Sequence, residues 1–170
     1  MSLVFRALLN HTPWAKKTED EEWLPDDDIR ADALKSLKSE NNALSIYLFD
    51  GESNIDRVIA AYSAARSKVE NLDYAIFSED FLKEINITYT NNAAKGIPDT
   101  VVSSWHYDLV QLTGSKVLSL AKVIREHGKI NRKSSPEVGK LINQAIDSNI
   151  IDKLKLDKNL IADLDKPRYK

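Results

Sequence analysis

The chain has no cysteine among its 170 residues. That absence excludes disulfides, thiolate catalysis, iron–sulfur clusters and zinc sites built on thiolates. It fits a reducing compartment, so we expect a cytoplasmic protein. Glycine and proline are also sparse, at five residues each, and they form no linker long enough to separate two domains. With 42% hydrophobic residues, a chain of this length predicts one domain with a substantial core.

Long hydrophobic runs are absent as well. The apolar stretch at residues 3–9 is interrupted by Arg6 and gives way to polar residues almost at once, so it is too short to span a bilayer. It predicts a first β-strand, and we expect no membrane association. A large net charge is also missing, because the formal charge is only -2 at pH 7. This value removes any global electrostatic attraction to nucleic acid or anionic lipid.

Alternating and helical patterns in the N-terminal half predict a small sheet. Strand signals occur at residues 43–49, 73–77 and 87–90, and a helical pattern at residues 54–69 separates the first two. A strand, a helix and a strand of these lengths are typical of a βαβ unit, in which the two strands are parallel. We therefore expect three or four strands with a βαβ unit in this half.

Residues beyond 114 show helical periodicity throughout. The sequence thus predicts a single compact α+β domain at residues 1–164 whose C-terminal half is all-helical. The tail at residues 165–170 is charged and contains a proline, and we expect it to fray.

The densest group of chemically useful side chains lies at residues 98–108. If this segment is a strand, its period of two places Ser104, His106 and Asp108 on one face. If it is a helix, His106 and Asp108 diverge in direction. The apolar spacing that continues to residue 112, together with an N-cap at Asp99 or Thr100, favours the helix over residues 99–113. In that helix His106 is more typical of a half-buried structural residue than of a catalytic one.

An enzyme is the first alternative hypothesis, as a small hydrolase-like or proton-transfer enzyme. Its catalytic candidates are His106, Asp108 and Glu79, because an imidazole with nearby carboxylates can move protons. The chain has no Gly-x-Ser-x-Gly motif and no His-x-x-x-His pair, so a nucleophile elbow and a multi-histidine metal site are not indicated. The sequence predicts no cofactor and no metal. An enzyme of this kind should place His106 in a concave pocket beside a carboxylate.

The leading hypothesis is a non-catalytic protein–protein interaction or regulatory protein of a bacterial, toxin-neutralising or decoy type. Acidic residues dominate residues 16–32, where two tryptophans also occur nearby. Tryptophan surrounded by charge is typical of interaction hot spots, and an acidic surface favours a basic partner. The alternatives are that both tryptophans pack onto the core and that the aspartates cap a helix. The binding candidates are Trp14, Trp23, Asp26, Asp27 and Asp28.

Nucleic-acid binding is the second alternative. Two predicted helices and the short connection between them, at residues 117–147, suggest a helix-turn-helix that contacts phosphates. The slightly acidic chain disfavours this hypothesis, because phosphate binding needs several aligned cations. The sequence leaves the oligomeric state open. The cations concerned are Arg125, Lys129, Arg132 and Lys133.

Overall fold

The structure is a computed structural model that describes residues 1–15, 18–25 and 28–169. Its centre is a six-stranded sheet in which every pair of neighbouring strands is antiparallel. The strands are β1 (Ser2–Leu8), β2 (Leu44–Asp50), β3 (Leu72–Ser78), β4 (Thr88–Asn91), β5 (His106–Val110) and β6 (Lys129–Lys133). Their spatial order is β4-β5-β2-β1-β3-β6.

The prediction of a small sheet with a parallel strand pair is wrong. Helix α1 (Ile55–Ala64) does connect β2 to β3, but β1 lies between these strands and pairs with both of them antiparallel. The two strands consequently run in the same direction without touching. The pattern of strand, helix and strand correctly indicated that β2 and β3 run in the same direction. The strand inserted between them, β1, comes from outside that segment.

The prediction of an all-helical C-terminal half is also wrong, because β5 and β6 belong to the sheet. The strand β6 is an edge with a single apolar residue, Ile130, so it offers almost no hydrophobic alternation for the sequence to reveal. Six α-helices are spread through the described residues. After α1 they are α2 (Asp80–Glu84), α3 (Thr100–Ser104), α4 (Gly114–His127), α5 (Ser135–Asp147) and α6 (Lys158–Leu164).

The sheet separates two hydrophobic cores, because successive side chains of a strand point to opposite faces. In β1, Leu3 and Phe5 enter the first core, which α1, α5 and α6 cover. Val4 and Leu8 enter the second core, which α4 and a 3-10 helix at Ala31–Leu37 cover. No helix among the described residues is long and apolar enough to cross a membrane.

The C-terminal segment packs against α5. Residues Pro167–Tyr169 form a 3-10 helix, and the Tyr169 side chain is 1% exposed. The ring lies so close to Gly139 that a Cβ there would sit 2.5 Å from the ring Cδ1 atom. The Asn143 side chain also donates to the Tyr169 carbonyl at 2.9 Å. This is the segment that the sequence predicts to fray, and its last residue lies outside the described residues.

Candidate functional site

The strand β5, and not a helix, carries His106 and Asp108, so the helix predicted over residues 99–113 is wrong. Asp99 caps only the single turn of α3, after which β5 pairs with β2 on one side and β4 on the other. This pairing outweighs the helical spacing of the apolar residues. Both side chains therefore lie on the sheet face of the first core, as Tyr47 does opposite His106.

The imidazole of His106 has a structural environment. Its Nδ1 atom lies 2.5 Å from the backbone oxygen of Asn92, and a carbonyl only accepts, so Nδ1 carries the proton. The ring meets the Tyr47 ring edge-on with centroids 5.3 Å apart. The side chain is 9% exposed. It connects the loop after β4, through Asn92, to the aromatic residue Tyr47 of the first core.

Asp108 forms its hydrogen bonds with neighbours other than His106. Its carboxylate accepts from the Ser45 hydroxyl at 3.1 Å and from the Asn92 amide at 2.6 Å. We call His106, Asp108, Ser45 and Asn92 the β5 polar cluster. Its serine donates to a carboxylate, and its histidine donates to a backbone carbonyl, so the serine–histidine bond that activates a nucleophile is not formed. Ser104 is turned away and donates to the carbonyl of Val101 at 2.7 Å.

Glu79, the third catalytic candidate, does not join this cluster. It immediately precedes α2 and accepts a hydrogen bond from the Tyr89 hydroxyl. The Tyr89 side chain packs against the second core, on the opposite face of the sheet from His106. Burial raises the pKa of Tyr89 to about 12, and the bond to Glu79 adds to this effect. The pair is thus a second-core contact.

An ion pair next to β5, with a buried carboxylate and a partly buried guanidinium, has no counterpart in the sequence patterns. The Asp99 carboxylate, which is 2% exposed, receives Arg57 Nε at 2.6 Å and a second guanidinium nitrogen at 3.1 Å. It also accepts from the amides of Val101 and Val102 at 2.9 and 3.3 Å. The sequence identifies Asp99 as a cap, but no local signal relates it to an arginine 42 residues away.

Trp23 is exposed in the middle of what we call the acidic loop, residues 18–25. Its exposed fraction is 70%, and the adjacent Leu24 is 3% exposed and anchors the loop. The side chains of Glu19, Asp20 and Glu22 are also exposed. Among the described residues, these three carboxylates form no ion pair with a lysine or arginine. The loop therefore combines a large exposed apolar side chain with three exposed carboxylates.

The fourth acid of the loop, Glu21, holds the loop to the rest of the molecule. Its carboxylate receives Arg30 Nε at 2.7 Å and the backbone and hydroxyl of Thr18 at 3.0 Å each. Arg30 also donates to the carbonyl of Ala15 at 2.6 Å. The Arg30 hydrogen bond, helped by Thr18, lowers the pKa of Glu21 to about 2. Charge on Glu21 thus fixes the base of the loop.

The other binding candidates differ from Trp23. Trp14 is 4% exposed and belongs to the second core, as the packing alternative expected. Asp28 is exposed and accepts from the amide of Ile29 at 2.8 Å, while the 3-10 helix begins three residues later, at Ala31. Asp26 and Asp27 lie outside the described residues.

The four cations proposed to contact nucleic acid are used within the chain. Lys129 pairs with Glu52 at 2.6 Å, Arg132 with Asp73 at 3.7 Å and Lys133 with Asp56 at 3.7 Å. Arg125 donates to the carbonyl of Asp28. The strand β6 separates α4 from α5, so the predicted helix-turn-helix geometry is wrong. The nucleic-acid hypothesis is then supported only by the basic composition of this region.

Comparison with family models, with curated proteins and with solved structures yields no match for this chain. Within residues 1–15, 18–25 and 28–169, no three histidine, aspartate or glutamate side chains converge as metal ligands would.

Proposed function

We propose that this chain is a non-catalytic binding protein whose acidic loop docks a basic protein partner. The observation that carries the proposal is the 70% exposure of Trp23. A tryptophan left in water is unfavourable to the free protein, and tryptophan is among the residues most enriched at the energetic centres of interfaces. Its neighbours Glu19, Asp20 and Glu22 supply the negative surface that selects for a basic partner.

The anchoring of the loop supports the same proposal. Leu24 is buried directly beside Trp23, and the Glu21–Arg30 pair holds the loop base. An ordered loop loses less conformational entropy on binding than a flexible one, so more of the contact energy appears as affinity. Glu21 is consumed by this internal pair, which leaves the other three acids of the loop for the partner.

The β5 polar cluster gives less support to the enzyme alternative. Its histidine is buried with Nδ1 on a carbonyl, and its carboxylate is occupied by Ser45 and Asn92. Two cavities of about 460 and 500 Å³ lie beside α5 and the segment after it, away from this cluster. The enzyme alternative stays a prediction, and the toxin-neutralising or decoy type is the form of binding protein that we propose.

The test is quantitative capture with three immobilised proteins: the native chain, Trp23→Ala, and Leu154→Ala as the matched control. Leu154 is 92% exposed on a different part of the surface, so the control removes an exposed apolar side chain without touching the loop. We expect a basic protein that binds the native chain and Leu154→Ala alike. Its affinity for Trp23→Ala should fall at least about 30-fold, as at a hot spot of about 2 kcal/mol. A partner that binds all three equally would refute the proposal.

A further inference from the structure

The two edges of the sheet differ in how they are protected. An unpaired edge strand is a template for pairing, and proteins commonly block such edges with charged side chains. The edge strand β6 carries three cations within its five residues, Lys129, Arg132 and Lys133. The other edge, β4, has the sequence Thr-Tyr-Thr-Asn and carries no charge. Its Thr88, Thr90 and Asn91 are exposed.

Two hydrogen bonds determine which backbone groups of β4 point outward. The amide of Leu48 donates to Trp105 O at 2.8 Å, and the amide of Asn92 donates to His106 O at 3.0 Å. Backbone groups alternate in direction along a strand, so the even-numbered residues of β5 face β4. Thr88 and Thr90 therefore bond to β5. The N–H and C=O groups of Tyr89 and Asn91 face outward, and no other described segment bonds to them.

We propose that β4 pairs antiparallel with β4 of a second copy of this chain, with the two-fold axis passing at Thr90. Only the outward-facing residues can exchange hydrogen bonds, and the register centred on Thr90 is the one that uses both of them in both copies. Tyr89 then lies opposite Asn91 of the second copy, and Asn91 opposite Tyr89 of the second copy, each pair exchanging two N–H···O bonds. Thr90 faces Thr90 of the second copy in a non-hydrogen-bonded pair.

The strand is suited to its own copy for electrostatic and steric reasons. No charged side chain of β4 meets a like charge across the axis, whereas pairing β6 with a second β6 would bring cations together. Threonine pairs across antiparallel strands are favourable. The Asn91 side chain is held inward by the carbonyl of Ser104 at 2.8 Å, so its backbone is left accessible. Pairing would join two six-stranded sheets into one continuous sheet.

The absence of native cysteine permits a direct test of this register. We expect Thr90→Cys to form an intermolecular disulfide under mild oxidation, because facing residues of a non-hydrogen-bonded pair bring their Cβ atoms close to disulfide distance. Thr88→Cys is the matched control on the same strand and face. In this register the two Thr88 positions lie about 13 Å apart along the strands, so this variant should remain uncrosslinked. Equal crosslinking of both variants, or none of Thr90→Cys, would overturn the proposal.

A second measurement uses the native chain without cysteine. Sedimentation should show a reversible dimer, and Asn91→Pro should raise its dissociation constant at least about tenfold by removing an outward N–H group in each copy. Asn91→Ala loses the same side-chain bonds but keeps that N–H, so it should still dimerise. A native chain that stays monomeric at its highest soluble concentration contradicts the proposal, and so do equal effects of the two variants. Trp23→Ala should leave the dimer intact, which separates this inference from the proposed function.

Discussion

The acidic loop and the β5 polar cluster are both rich in polar side chains, but they use them in opposite ways. In the cluster, Asp108 accepts from Ser45 and Asn92, and His106 bonds to a backbone carbonyl. Among the described residues, Glu21 is the one acid of the loop that has such a partner. Hydrogen-bonding capacity that the fold has already consumed is not available to a ligand. Reactive residue types that already bond to one another are therefore a weaker reason to propose a ligand site than exposed carboxylates beside an exposed aromatic side chain.

The largest effect should come from the buried tryptophan before the loop. Trp14→Ala removes a side chain that is 4% exposed, and we expect it to lower the free energy of unfolding by about 3–5 kcal/mol. Trp23→Ala removes an exposed ring and should change this free energy by less than about 0.5 kcal/mol. Urea unfolding of the two variants measures both values. Similar losses would mean that Trp23 is a packing residue and not a binding one.

The next effect concerns the ion pair beside the cluster. Asp99→Ala leaves the partly buried guanidinium of Arg57 without its partner and uncaps α3, so we expect a loss of about 2–3 kcal/mol in unfolding free energy. The control is Asp32→Ala, which breaks an exposed pair with Lys35 and should leave the urea midpoint almost unchanged. If both variants unfold at the same urea concentration, the Asp99 pair has no structural role.

His106→Ala should lower the free energy of unfolding by about 1–2 kcal/mol, less than Trp14→Ala or Asp99→Ala. The reason is that it removes the donor to the Asn92 carbonyl and the contact with Tyr47. Urea unfolding should show a lower midpoint with an unchanged slope. His127→Ala, which removes a ring stacked on Phe81 at the surface, serves as the histidine control. An unchanged midpoint together with loss of a measurable hydrolytic or transfer activity would favour the enzyme alternative over the binding protein.

The smallest effect should be the pH dependence that Glu21 contributes at the base of the acidic loop. The pKa of Glu21 is lowered to about 2 in the folded protein, whereas a glutamate in an unfolded chain titrates near 4.3. Its stabilising pair with Arg30 is therefore fully present above about pH 4.3 and is lost as the pH falls through about 2. Carboxyl chemical shifts in NMR should report this pKa directly. In Glu21→Gln the signal of the Arg30 Nε–H, which donates to Glu21 in the native chain, should lose its change at this low pH, and a normal Glu21 pKa in the native chain would contradict the anchoring role.

Part of this fold can be predicted from sequence because some elements carry their own signal. The patterns at residues 43–49 and 73–77 correspond to β2 and β3, and α1 lies between them. At β5 the sequence leaves a strand and a helix both open, and it favours the helix because the strand depends on pairing with two partners distant in the chain. The position of β1 between β2 and β3 is likewise a tertiary choice that no local pattern records.

The candidate site was predictable in composition but not in geometry. Both Trp14 and Trp23 are binding candidates from the sequence, yet one is buried and the other exposed. Trp14 belongs to the second core, whereas within the loop it is Leu24, next to Trp23, that is buried. Arg30, which anchors Glu21 from nine residues away, has no local signature that distinguishes it from a solvated surface arginine.

The central place of β1 also has a consequence for how the chain folds. The strand precedes both of its neighbours, and Leu8 pairs with Asp73, 65 positions later in the chain. During synthesis the apolar residues of β1 therefore remain exposed until β2 and β3 have been made and can pair with its two edges. Contacts of such long sequence separation slow folding and prolong the lifetime of aggregation-prone intermediates. A nascent chain of this protein should consequently depend on chaperones until residue 78 has left the ribosome, and on Tyr169 to complete the first core.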